Sequence, residues 1–265
     1  MTPNNLEPNR RQARPALPPL VGFVLAMATS LVADEARNHD LHLYLKGRHL
    51  YQRRCQECHG ATGRGDGSWA DELETRPRNF RSGIYKFRTT AYGTLPTDED
   101  LRRTIRSGIS GTAMPIFAHL HDEDIDALVT YLKHLSKRWR DPAAAPVPVP
   151  IPEVPAWFGT EDEADHALAA EARYASLCAS CHGERGKGDG PAAKGLADVW
   201  GRSIAPAVLA APHHKSGDSP KDLYRSIATG LDGTPMVGFG ELLEEQEIWE
   251  LVAWIRAKGA TDGAE

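Results

Sequence analysis

Several stretches of the chain place apolar residues at helical spacing on one side and charges on the other. Leu41 to Arg54 predicts a first helix, in which Gly47 and Tyr51, four apart, share a face where a second helix can pack closely. Thr97 suits an N-cap, with Asp98, Glu99 and Asp100 in the first turn and a stop near Gly108. His121 to Arg138 is the most regular segment, with Ile125, Leu128, Val129, Leu132 and Leu135 on one face. The pattern then begins again. Glu161 to Leu177 carries Ala170 and Tyr174 at the positions of Gly47 and Tyr51, and Ser219-Pro220 opens a helix that ends near Gly230. Ile248, Leu251, Val252 and Ile255 repeat the last apolar face.

Between the two copies, Asp141 to Pro155 holds six prolines and reads as a polyproline spacer. At ~3.1 Å per residue it could span roughly 45 Å. The expected organisation is a leader over 1–33, a first domain over 34–140, a Pro-rich linker over 141–158 and a second domain over 159–265.

The leader has a polar start with Arg10, Arg11 and Arg14, then an apolar run from Leu17 to Ala33. These are the n- and h-regions of a secretory signal, with Ala26-Met27-Ala28 or Ala33 as the cleavage site. An uncleaved membrane anchor is the competing reading, although Pro18 and Pro19 interrupt the start of the run. Net charge is −5 over 265 residues, but it is unevenly spread. Residues 34–140 balance to +3 and residues 141–265 to −10, which suits either different docking faces for the two halves or two simply solvated surfaces. No nucleic-acid-binding stripe is present. Basic and aromatic residues do alternate over Thr75 to Thr94. They are better suited to local work, with rings against a cofactor and arginines near its acidic groups or an acidic partner.

The chemistry is concentrated in two short motifs, Cys55-Gln-Glu-Cys58-His59 and Cys178-Ala-Ser-Cys181-His182. Both read C-x-x-C-H, the attachment sequence of a c-type haem. Each thiol can form a thioether to one haem vinyl group, and the histidine then lies beneath the iron as proximal ligand. A redox dithiol or half a zinc site would explain C-x-x-C without the appended histidine. All four cysteines are consumed by these motifs, which leaves none for a disulfide or a nucleophile. A glycine-rich loop follows each motif, Gly60 to Gly67 and Gly183 to Gly190. Pro77 is expected to offer its carbonyl to Nδ1 of the proximal histidine.

Outside the leader the chain has two methionines, Met114 and Met236, which lie 55 and 54 residues after His59 and His182. Their contexts, G-T-A-M-P and G-T-P-M-V, match each other and suit a loop more than a packed helix face. They are the expected sixth ligands. Met/His ligation raises the iron potential and fills the coordination sphere. His119, His121, His213 and His214 are the nearest competitors.

With the C-x-x-C-H-G motifs, the G-T-x-M loops and the paired terminal helices in view, the chain resembles two class I cytochromes c in tandem. The resemblance covers Leu41 to Ser136 and Glu161 to Lys258. It implies an all-α fold of two domains joined by the Pro-rich linker, with the first and last helices of each domain crossing. It also implies two covalently attached haem c groups, bound through Cys55, Cys58, Cys178 and Cys181, with His59, Met114, His182 and Met236 on iron. The expected function is single-electron transfer between periplasmic or membrane redox partners, with a separate partner for each domain as one arrangement. A dihaem enzyme such as a peroxidase would require one methionine to leave its iron. The cytochrome subunit of a respiratory oxidoreductase complex, held at the membrane by the leader, is the other alternative.

Overall fold

The computed structural model describes residues 20–262, with side chains from 35 to 259. The polar part of the expected signal peptide lies outside the described residues, and both cleavage candidates lie outside those with described side chains. Two compact units divide the chain, one ending at His42 and one running from Leu43. The first contains the opening turns of α1 (Leu20–Arg54). Both sequence repeats lie in the second. Among the described residues, no helix is long and apolar enough to cross a membrane.

The first repeat continues with α2 (Gln56–His59), α3 (Asp98–Ser107) and α4 (Asp122–Leu135). The second contains α5 (Glu163–Ala169), α6 (Glu171–Leu177), α7 (Ala179–His182), α8 (Pro220–Thr229) and α9 (Glu245–Asp262). No strand occurs among the described residues; two isolated bridges pair Thr90 with Pro148 and Ala197 with Ser203. The all-α expectation holds.

The caps explain where helices begin. Thr97 and Ser219 each accept a bond from the N3 amide, and the Asp100 and Asp222 carboxylates accept in turn from the cap amides, which makes the same capping box twice. Two boundaries differ from expectation. The helix predicted over 161–177 is broken at Ala170 into α5 and α6. The one predicted over 121–138 ends at Leu135, where Ser136 turns extended and caps a 3-10 turn over Lys137–Arg140.

In each repeat the helix entering the motif crosses the last helix. A Cβ at Gly47 would collide with the Ala127 carbonyl oxygen and stand 2.9 Å from the Tyr131 Cβ, so glycine allows the backbones to touch. Lys46 pairs with Asp124 at 2.9 Å beside this crossing. At the equivalent place in the second repeat, Ala170 is fully buried and the Tyr174 ring stacks on Trp254 at 3.5 Å. The core faces read from periodicity are buried, apart from partly buried Leu135 at the end of α4: Ile125, Leu128, Val129 and Leu132 in one core, Ile248, Leu251, Val252 and Ile255 in the other.

The Pro-rich stretch is pinned rather than free. Ala91 and Leu95 donate to the carbonyls of Val147 and Ala144, and the Val149 amide donates to Thr89. Ala144 is buried in the first core, while Val149 and Ile151 pack on the second. Proline does not prevent this, because an edge pairing needs only every other amide.

Candidate haem sites

Each C-x-x-C-H motif turns through a short helix that starts at its first cysteine. Cys55 caps α2 and Cys178 caps α7, and both histidines end their helices before a glycine with positive φ, Gly60 or Gly183. That glycine is held from behind. The Tyr51 hydroxyl donates to the Gly60 carbonyl at 2.7 Å, and Tyr174 donates to Gly183 at the same distance. The sequence marked these tyrosines as packing positions; their tethering role is an additional finding. The recurrence of a tyrosine four residues before both first cysteines was the available signal.

His59 is buried and half-buried His182 is its counterpart. Nδ1 of His59 lies 3.0 Å from the Arg78 carbonyl, and Nδ1 of His182 lies 2.9 Å from that of Ala207. A carbonyl can only accept, so Nδ1 carries the proton and Nε2 keeps its lone pair for a metal. Burial lowers the pKa of both histidines and favours this neutral form. The carbonyl expected from Pro77 is thus supplied by the next residue. The Pro77 oxygen instead sits against Gly65, where a Cβ would stand at 2.5 Å. Pro206 and Ala207 repeat this pair, with the Pro206 oxygen 3.0 Å from a Cβ built on Gly188.

The cysteines are half-buried and carry no disulfide. Desolvation pushes the Cys55 thiol up to about 12 and Cys178 up to about 11, and also raises Cys58.

The G-T-x-M segments form matching loops. The Thr112 hydroxyl accepts from the Met114 amide and donates to the Ile109 carbonyl, while the Ile109 amide donates to the Met114 carbonyl. Thr234, Leu231 and Met236 reproduce every one of these bonds. The threonine is the latch that presents methionine at a set angle.

In the first repeat these parts converge. Tyr51, Cys55, His59, Phe80, Ile105, Met114, Phe117, Leu128 and Leu132 line one apolar cavity. His59 is the sole histidine lining it, and neither His119 nor His121 takes part. Phe80 stacks on the His59 ring at 4.4 Å, with Tyr85 beyond it. The Tyr85 hydroxyl and Trp139 Nε1 are buried beside one another. An apolar slot with a cysteine, a neutral imidazole and a thioether on its walls fits a flat apolar macrocycle that carries a metal. In the second repeat, Cys178 packs against the core and Trp249 and Trp254 carry buried Nε1 groups without partners.

Comparison with known proteins agrees with this geometry. Residues 43–132 match the family described as cytochrome c oxidase, cbb3-type, subunit III, and residues 167–258 match the family described as cytochrome c. A chain of the Kuenenia stuttgartiensis reducing HAO-like protein complex Kustc0457/Kustc0458 is 36% identical, with a TM-score of 0.74, over 80% of this chain and 95% of that one. This protein belongs to the cytochrome c family. It has two cytochrome c domains in tandem, which carry covalent haem c, and the cysteine pairs 55/58 and 178/181 have the matching spacing. A curated relative from Azospirillum brasilense, the cbb3-type cytochrome c oxidase subunit CcoP, is 26% identical over 242 residues, covering 89% of this cytochrome and 70% of that protein.

Proposed function

We propose that this cytochrome is an exported dihaem electron carrier. Its haems are bound through Cys55, Cys58, Cys178 and Cys181, and its irons are ligated by His59 with Met114 and by His182 with Met236. The observation that carries this reading is the shared cavity of the first domain, which is lined by Cys55, His59 and Met114 together. The matching latch at Thr234 extends it to the second. With both axial positions filled, each iron changes oxidation state without exchanging ligands, so little reorganises when an electron passes. That suits a carrier more than oxygen or peroxide chemistry.

Membership of a larger redox assembly is the favoured setting. The solved relative is named as a complex and the curated relative as an oxidase subunit, and both support a cytochrome that docks to other redox proteins. The charges of the two halves, +3 and −10, favour partners of opposite sign on the two domains. A leader that exports the chain would place those partners on the periplasmic side, as a free protein or one anchored there.

Spectroelectrochemical titration of the purified holoprotein, with hydrogen peroxide added at each redox state, tests the assignment. The carrier reading expects two low-spin waves at positive potential and no peroxide turnover. A high-spin or low-potential haem that consumes peroxide after half-reduction would show a displaced methionine and a dihaem enzyme. Met114→Ala and Met236→Ala should each keep haem covalently attached and lower the potential of one haem. If neither potential moved, the ligand assignment would fail.

A further inference from the structure

The two methionine loops share their internal hydrogen bonds but differ in what surrounds them. In the first domain Ser110 and Gly111 are exposed, and a Cβ at Gly111 would meet nothing within 4 Å. Their counterparts Asp232 and Gly233 are buried, and a Cβ at Gly233 would stand 2.9 Å from Ile84 Cγ2 of the first domain. The second loop is therefore covered by Ile84 of the other repeat together with Val199 and Trp200 of its own.

Arg88 is central to that cover. It has no exposed surface, and its guanidinium donates to the Thr229 carbonyl at 3.1 Å and the Gly230 carbonyl at 3.3 Å. These are the last carbonyls of α8, where a positive charge is favoured. The Thr229 hydroxyl lies 3.3 Å from the Arg88 carbonyl, while its one proton has a nearer acceptor in the Arg225 carbonyl at 2.9 Å. The Arg88 guanidinium also lies 5.5 Å from the centre of the Tyr92 ring, and the Tyr92 hydroxyl donates to the Thr234 carbonyl at 3.1 Å. Domain one thus grips the loop at both ends, at the close of α8 and two residues before Met236. The grip passes directly to the methionine, because Gly230 touches the Met236 backbone. A Cβ at Gly230 would stand 2.7 Å from the Met236 carbonyl oxygen, and the Leu231 amide donates to that same oxygen at 2.9 Å.

We propose that the 84–92 segment of domain one is a brace for the methionine loop of domain two, with Arg88 and Tyr92 as positioning residues for Met236. This rests on Met236 being the axial ligand of the second haem. A thioether holds iron only while its loop keeps the sulfur in place, so restricting the free loop lowers the entropic cost of ligation. Among the described residues the first loop has no such cover, and it serves as an internal control.

The test uses the full-length holoprotein, with three readouts resolved for each haem: reduction potential, the thioether-to-iron charge-transfer band of the ferric state, and displacement of methionine by added imidazole. Arg88→Ala should make one haem easier for imidazole to capture, on the order of tenfold, and lower its potential while the other haem stays unchanged. Arg88→Lys keeps the charge without the fork and should fall between. Tyr92→Phe removes only a hydroxyl from a partly exposed ring, so it preserves the fold and should shift the same haem by less. In a Met236→Ala background, Arg88→Ala should add nothing to that haem's potential. Silent Arg88 and Tyr92 variants beside a normal Met236→Ala effect would overturn the brace alone, as would an equal shift at both haems. If Met236→Ala left both thioether bands in place, the ligand assignment would fall and the brace with it.

Discussion

Tyr51 and Tyr174 each spend a hydroxyl on one carbonyl directly after a C-x-x-C-H motif. Removing that donor loses one net hydrogen bond, about 0.5–1.5 kcal/mol, because the Gly60 and Gly183 carbonyls still accept from the Gly63 and Gly186 amides at 3.1 Å. Tyr51→Phe should therefore lower the unfolding free energy by that much, read from the denaturant midpoint, while the haem stays attached because Cys55 and Cys58 both remain. Asp100 concentrates more bonding in one side chain. Burial would raise its carboxyl, but the Thr89 amide at 2.9 Å, the Thr97 amide at 3.0 Å and Arg103 at 2.7 Å hold it below the usual carboxylate range. A depressed folded pKa contributes stability that is present above the unfolded value and lost as pH falls through the folded one. The holoprotein should lose stability as pH drops below the ordinary aspartate range. In Asp100→Asn that slope should flatten, at a cost of roughly 2–3 kcal/mol at neutral pH; thermal melts across pH would show both.

At the scale of elements, the fold depends on two helix crossings and two capping boxes. Gly47→Ala puts a Cβ where the Ala127 carbonyl already stands. Overpacking of this kind costs about 1–3 kcal/mol, measurable as a lower guanidinium midpoint. Ser219→Ala removes the oxygen that accepts from the Asp222 amide at 3.1 Å and should cost about 1 kcal/mol by the same measurement. These elements were legible because their causes are local. Thr97 and Ser219 cap as expected, and the apolar faces of α4 and α9 are those read from the sequence. The break at Ala170 was not legible, since Ala167 to Ala170 is good helical sequence and the turn is imposed by packing against α9.

For the whole molecule, the 141–155 stretch and the Arg88 contact join the repeats into one unit. The strap hydrogen bonds involve the amides of Ala91, Leu95 and Val149. Hydrogen–deuterium exchange of the holoprotein should find all three protected; rapid exchange at Val149 would mean a free spacer instead. Composition suggested that spacer because proline count reports stiffness and not contact, and contact depends on residues over 50 positions away, as in the pairing of Thr90 with Pro148.

The sequence by itself determined the duplicated helical plan, the two haem-attachment motifs and the two candidate methionines, because each is written in residue type at fixed short spacing. Tertiary structure alone decided which carbonyl orients each histidine, replacing Pro77 with Arg78. It also decided that an arginine from one repeat closes a helix in the other. The physical reason is that a backbone carbonyl has no residue signature. Whether it meets an imidazole or a guanidinium depends on how distant segments pack, and the chain carries no local mark of that.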